Sequence, residues 1–272
     1  MTRVKDYMTK KVQAVSQEDP IARVRNIFLS KGVSRALVYN GELIGMITDG
    51  DIARAFTEER REINQIRVRE IMTRGLITTE PGHTPEEAAK KMTEEEISGL
   101  PVIQGSEVKG IITNTDLSEY FTKRYRGKLK VEDLMSSPVH TIKEGQSAFH
   151  AGRIMEEKEI SKIVVEKDEE AVGIVTEKDL SFASPGKKPR KIKYPGSKNH
   201  HERVKVYPMI IGDIMQEELV TTHPEKDAAT ETEKMIKNNI GSLVVTKNKK
   251  PVGIITKTDI ANYLGQKADS EK

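Results

Sequence analysis

Apolar positions along this chain fall into short runs of two periods, and the same order of runs returns four times. Each round opens on a compact group, apolar-x-acidic-apolar-Met: VKDYM ending at Met8, VREIM at Met72, VEDLM at Met135 and IGDIM at Met215. A Val, Ile and Thr-rich stretch follows (VQAV, LITT, VHTI, LVTT) and predicts a short strand. Apolar residues then recur three and four apart over residues 21–29, 86–92, 148–155 and 228–236, the spacing of a helix with one buried face. Thr84-Pro85-Glu86-Glu87 predicts a capping box with Pro at the first helical position. Two β-rich runs joined by a polar tip come next, as in ALVYNGELIGMIT and IVVEKDEEAVGIVT, and read as a hairpin. A last helix begins just after the closing Thr, so each unit is β-α-β-β-α.

The end of each hairpin carries Gly-apolar-apolar-Thr-x-x-Asp: GMITDGD from Gly45, GIITNTD from Gly110, GIVTEKD from Gly173 and GIITKTD from Gly253. These glycines lie 37, 38, 38 and 38 residues after their respective Met. One Gly-x-x-Thr means nothing; four at a constant offset are a repeat. A unit this small cannot cover both faces of its own sheet, so copies should pair sheet to sheet.

These residues resemble the cystathionine-β-synthase (CBS) domain family, here as four copies in two tandem pairs. The arrangement is similar to the γ subunit of AMP-activated protein kinase and to stand-alone archaeal CBS proteins. The resemblance covers nearly the whole chain and implies a mixed α/β (α+β) fold: four β-α-β-β-α CBS repeats in two pseudo-symmetric pairs, with ligand clefts between paired copies. The expected boundaries are repeat 1 at 1–63, repeat 2 at 64–122, a basic linker at 123–130 and repeat 3 at 131–183. A basic arm at 184–206, repeat 4 at 207–266 and a tail at 267–272 complete them.

The resemblance implies binding of an adenine nucleotide (AMP, ADP or ATP) as a regulatory ligand, with no catalytic cofactor. The motif suits that chemistry. Asp51, Asp116, Asp179 and Asp259 accept hydrogen bonds when ionised, as ribose hydroxyls require. Thr48, Thr113, Thr176 and Thr256 stand where a strand gives way to a helix, and a hydroxyl with free N–H groups at a helix start suits phosphate. The family places phosphate on the Thr and ribose on the Asp. Helix capping alone would account for the pair in any one copy, but recurrence in all four favours binding. Six residues after each Met, a family position facing the adenine holds Thr78, Thr141 and Thr221, with Ala14 departing from the pattern in copy one. A strand Thr chosen for β-propensity is the plainer reading. Where the family often carries a phosphate-reaching cation stand Arg35 and Lys162, against Gly99 and Ser242 in copies two and four. One site per pair should then be tighter. Copy three, with Thr141, Lys162, Thr176 and Asp179, is expected to hold the fullest set.

Composition narrows the alternatives. With 36% hydrophobic and 32% charged residues, the chain reads as folded and ionic at its surface. No apolar run is long enough for a membrane helix, and MTRVKDYMTKK lacks the apolar stretch of a signal peptide, so a cytoplasmic location is expected. The absence of Cys removes disulfides, thiolate ligands and a Cys nucleophile, and with the last the chemistry of inosine monophosphate dehydrogenases, which also carry a CBS pair. No nucleophile–base set, P-loop or dinucleotide fingerprint is visible, so no enzyme is expected. His200-His201 lacks further ligands for a metal. Excluding 184–206, with eight Lys or Arg against Glu202, leaves 37 basic and 41 acidic residues from totals of 45 and 42. The TKRYRGKLK linker adds five basic residues. Nucleic-acid binding through these stretches, with Tyr120, Phe121, Tyr125, Tyr194 and Tyr207 beside them, is the main rival. A scaffold with empty sites, or one binding S-adenosylmethionine, is a further alternative. Any regulated protein partner is expected to be reached in trans, and a homodimer is compatible with this reading.

Overall fold

The computed structural model describes residues 2–58, 63–182 and 209–268. Each repeat opens on a single helical turn at its Met motif, at Val4–Asp6, Val68–Ile71 (α3), Val131–Asp133 and Ile211–Asp213. Repeat 1 then runs β1 (Ala14–Ser16), α1 (Ile21–Lys31), β2 (Arg35–Asn40), β3 (Glu42–Thr48) and α2 (Asp49–Glu58). Repeat 2 has α4 (Pro85–Glu94), β4 (Gly99–Gln104), β5 (Glu107–Thr113) and α5 (Asn114–Arg124). Repeat 3 has β6 (Thr141–Lys143), α6 (Ala148–Glu157), β7 (Lys162–Lys167), β8 (Glu170–Thr176) and α7 (Glu177–Phe182). Repeat 4 has β9 (Thr221–Thr222), α8 (Ala228–Lys237), β10 (Ser242–Lys247), β11 (Lys250–Thr256) and α9 (Lys257–Lys267).

The first strand of a repeat pairs parallel to the second, which pairs antiparallel to the third. Repeat 2 departs from expectation, because LITT forms only an isolated bridge between Thr79 and Val102. The cause is Pro101. In repeats 1 and 3 the equivalent Leu37 and Val164 donate their N–H to Gln13 and His140. Proline has no N–H to give, and the ladder stops.

Sheets face each other within each tandem pair. Leu37, Met46 and Ile111 close one such interface, and Val164, Ile174 and Val244 the other. The opening motifs are exchanged between partners: Ile66, Val68 and Met72 of repeat 2 join the core of repeat 1, and Ile211 of repeat 4 joins that of repeat 3. Helices then join the pairs, with α2 against α7 and α4, α5, α8 and α9 in one continuous core. Gly265 lets α9 approach the α4 backbone closely, since a Cβ there would lie 3.0 Å from Lys90 Cα.

The aromatic residues beside the basic linker are part of this core, while Lys123, Arg124, Arg126, Lys128 and Lys130 stay exposed, so the linker offers charge without the base-stacking rings of its nucleic-acid reading. Tyr120, Phe121 and Tyr125 are buried, and Phe121 and Tyr125 stack at 5.1 Å. Lys123 lies 4.8 Å over Tyr7, Lys128 lies 5.5 Å over Tyr125, and Arg126 pairs with Glu233 at 2.5 Å. Rings packed inside a protein cannot stack on bases. The other proposed elements of that rival, residues 184–206 with Tyr194 and Tyr207, lie outside the described residues, as do His200 and His201. No described helix is long and apolar enough to cross a membrane.

Candidate functional site

The four end motifs share one local geometry. The carboxylate Oδ2 of Asp51, Asp116, Asp179 and Asp259 accepts from both the backbone N–H and the hydroxyl of its own motif Thr, at 2.7 or 2.8 Å. The Thr oxygen in turn accepts from backbone N–H groups in the first turn, such as Asp51 at 3.2 Å and Thr258 at 3.1 Å. The N–H of the first helical residue bonds to a carbonyl just before the hairpin, as in Asp49 to Ser34 and Lys257 to Gly241. The expectation of free N–H donors at the helix start is therefore corrected for these positions. Those carbonyls take the first N–H and the capping Thr takes the following ones.

The other carboxylate oxygen faces the partner repeat. Thr9 donates to Asp116 Oδ1 at 3.1 Å, Ser136 to Asp259 Oδ1 at 3.0 Å and Gln216 Nε2 to Asp179 Oδ1 at 3.0 Å. Each donor is the residue after an opening Met. That Met explains the motif glycine: a Cβ on Gly110 would sit 2.6 Å from the carbonyl of Thr9 and 3.2 Å from Met8 Sδ. Gly45, Gly173 and Gly253 meet Met72, Met215 and Met135 in the same way. Opening motif and end motif are thus the two halves of one contact, made reciprocally between paired repeats.

This exchange regroups the residues identified in the sequence. A cavity of about 560 Å³ brings Thr113 together with Val12 and Gln13, next to Ala14, and Thr176 together with Leu219 and Val220, next to Thr221. The segment leading to Thr141 lies on the motif of repeat 4 through Ser136 and Asp259. Thr141 and Thr176, both of repeat 3, therefore adjoin different motifs: the Thr141 segment lies on the motif of repeat 4, and Thr176 lies with Leu219 and Val220. By the same reciprocity Thr78 follows the segment seated on Gly45, beside Thr48 and Asp51.

The first helical residues of all four motif helices, Asp49, Asn114, Glu177 and Lys257, line this one cavity. Sequence reasoning passed over them, although their differing charge directly after a repeated Thr was a visible signal. Arg35 stands opposite Thr48, and Lys162 opposite Thr176, in the strand register. Their side chains cross towards the partner repeat. Arg35 Nη2 donates to Ser98 at 3.1 Å, its Nη1 is buried without an acceptor, and a Cβ on Gly99 would collide with it. Lys162 passes over Gly241, where a Cβ would lie 3.5 Å from its Cε. Burial lowers the pKa of Arg35, Lys162 and Lys257, the last further through repulsion by Lys162. Burial likewise raises Asp49, Glu177, Asp116 and Asp259.

Four interleaved repeats, paired by sheet and opening onto a common charged cavity, define a tandem-repeat module. The family model described as "CBS domain" matches residues 4–58, 68–123, 131–186 and 211–266, and the chain belongs to that family. CBS domains commonly bind adenosine-containing regulatory ligands and are regulatory rather than catalytic as a domain type. The chain is 29% identical over 192 residues to the uncharacterized protein MJ1225 of Methanocaldococcus jannaschii, covering 65% of this chain and 68% of the relative. The crystal structure of MJ1225, proposed in its description as an archaeal homologue of γ-AMPK, has a TM-score of 0.80 at 21% identity, over 96% of this chain and 99% of that one. A conserved protein from Pyrococcus horikoshii has a TM-score of 0.65 at 20% identity, over 97% and 100%. These two likenesses concern the fold. Inosine-5'-monophosphate dehydrogenase of Korarchaeum cryptofilum is 37% identical over 117 residues, which are 43% of this chain and 24% of that enzyme.

Proposed function

We propose that this protein is a regulatory sensor of adenine nucleotides, holding AMP, ADP or ATP in the clefts between paired repeats and signalling to a protein partner in trans. The observation that carries the reading is the set of cations on the cavity wall, beside the acids Asp49 and Glu177. Arg35, Lys162 and Lys257 face the cavity, and Nη1 of Arg35 is a buried donor with no acceptor. A buried unpaired donor is costly, and a phosphate oxygen is the acceptor that suits a guanidinium. In this reading Asp51, Asp116, Asp179 and Asp259 take the ribose hydroxyls, and the segments at Ala14, Thr78, Thr141 and Thr221 border the adenine. Thr48, Thr113, Thr176 and Thr256 hold the carboxylates in place and adjoin the phosphate.

The contacts between paired repeats support a route from ligand to partner. Thr9, Ser136 and Gln216 occupy the carboxylate oxygen that a ribose hydroxyl would use, and each belongs to the opposite repeat. Ribose binding at Asp116 competes with Thr9 and shifts the contact that seats one repeat on the other. A ligand biases such an equilibrium only through its differential affinity for the two arrangements. The test is calorimetry and thermal shift with AMP, ADP, ATP and S-adenosylmethionine. A ligand at 100 times its dissociation constant adds about 2.7 kcal/mol of stability. Absence of any shift or heat across that panel would sink the sensor reading.

A further inference from the structure

Charge is unevenly shared among the four motifs lining the cavity. Motif helices of repeats 2 and 4 are joined there: Asn114 Nδ2 donates to Thr258 Oγ1 and Lys257 Nζ to Thr115 Oγ1, both at 3.2 Å. The unpaired Nη1 of Arg35 lies over Gly99 of repeat 2, and Lys162 passes over Gly241 of repeat 4. Both crossed cations thus reach repeats 2 and 4, although Arg35 also feels Asp49 and Lys162 feels Glu177. Burial lowers the pKa of Lys257, and repulsion by Lys162 lowers it further. Like charges brought together inside a protein suit an anion placed between them.

Repeats 1 and 3 meet on another wall of the same cavity, through α2 and α7. Here the residue directly after the motif Thr is a carboxylate, Asp49 or Glu177. Asp49 Oδ1 accepts from Gly50 N at 3.1 Å, and Glu177 Oε2 reaches across to within 3.4 Å of where a Cβ on Gly50 would stand. The two acids repel, and the potential of Glu177 is shaped by Asp49 after burial itself. A phosphate beside Thr48 or Thr176 would adjoin one of these carboxylates. The same position in repeats 2 and 4 offers an amide and an ammonium.

We infer that the cavity sorts ligands by charge, with adenosine 5′-phosphates held at the motifs of repeats 2 and 4 and unphosphorylated adenosine ligands admitted at those of repeats 1 and 3. Asp49 and Glu177 are the residues that exclude phosphate, and Arg35, Lys162 and Lys257 are those that select it. The inference rests on the adenosine reading above and adds the division of labour among its sites.

Isothermal titration of the full chain with AMP and, separately, with adenosine tests it. AMP should fill two sites per chain and adenosine four. The isosteric Asp49→Asn, Glu177→Gln double variant should raise the AMP stoichiometry towards four. Asp116→Ala and Asp259→Ala should each remove one bound AMP, and Arg35→Gln should weaken AMP at least tenfold more than adenosine. A thermal melt on each variant checks that it is folded. Four AMP in the wild-type protein, a double variant that still takes only two, adenosine stopping at two, or loss of AMP from Asp51→Ala or Asp179→Ala instead would each overturn the sorting while leaving the sensor reading intact. Heat with neither ligand overturns nothing in the fold but removes both proposals.

Discussion

The contact between opening and end motifs makes Gly110→Ala the most informative single substitution. The new methyl would stand 2.6 Å from the carbonyl oxygen of Thr9 and 3.2 Å from Met8 Sδ, so the opening segment of repeat 1 must move. That carbonyl accepts from Ile111 N at 2.9 Å while Thr9 N donates to Ile111 O at 2.9 Å, and both bonds stretch together. Two backbone bonds at about 1 kcal/mol each, with about 1 kcal/mol of Met8 burial, give about 3 kcal/mol. Alanine recovers about 0.5 kcal/mol through the stiffer unfolded chain. The net loss of about 2.5 kcal/mol corresponds to a fall in Tm of about 5–10 °C for a chain of this size. Thr9 also leaves Asp116, which in the adenosine reading withdraws the competitor for the ribose hydroxyl at that cleft. The control is Gly145→Ala, where a Cβ meets nothing within 4 Å; a change within about 0.5 kcal/mol is expected there. Differential scanning calorimetry of both variants decides the matter. A Gly110→Ala protein melting within 2 °C of wild type, a margin of about 1 kcal/mol or less, would refute the reasoning that the motif glycine exists to seat the partner's Met.

Lys257→Met should stabilise the ligand-free protein by up to about 1 kcal/mol, since it replaces a half-buried charge, held only by a hydroxyl, with an apolar side chain, while weakening AMP; denaturant midpoints and calorimetry report the two effects. The pH dependence has a definite sign. Burial and Lys162 hold the Lys257 amine below its ordinary 10.5, so over the interval between its folded and unfolded values the unfolded chain binds more protons and stability rises with pH. The difference in stability between Lys257→Met and wild type should therefore shrink as pH climbs towards 10.5, and a constant difference would contradict the assigned burial. Tyr120 donates to the buried Glu86, and burial with this carboxylate raises the phenol well above its ordinary 10.0. Tyr120→Phe should cost about 1–3 kcal/mol by leaving Glu86 unsatisfied, and ultraviolet titration of the folded wild type should show one more phenol resisting ionisation than the variant does.

What the sequence determined by itself was everything that local chemistry controls. The four repeats, the hairpins and the helix starts are each specified within a few residues, so Thr84 and Glu87 form the expected box and the helices begin within a residue of where the spacing places them. The one strand misread in repeat 2 had its cause in plain view at Pro101, but only the parallel partner of LITT shows which N–H was needed. Tertiary structure alone decided who meets whom. The Met motif of each repeat seats on its partner's glycine, Arg35 and Lys162 cross to the partner repeat, and Lys257 reaches Thr115 in the other pair. None of these contacts has a period along the chain, because each depends on how two separately folded units dock. The repeat spells out four equal motifs, and their packing around one cavity makes them unequal.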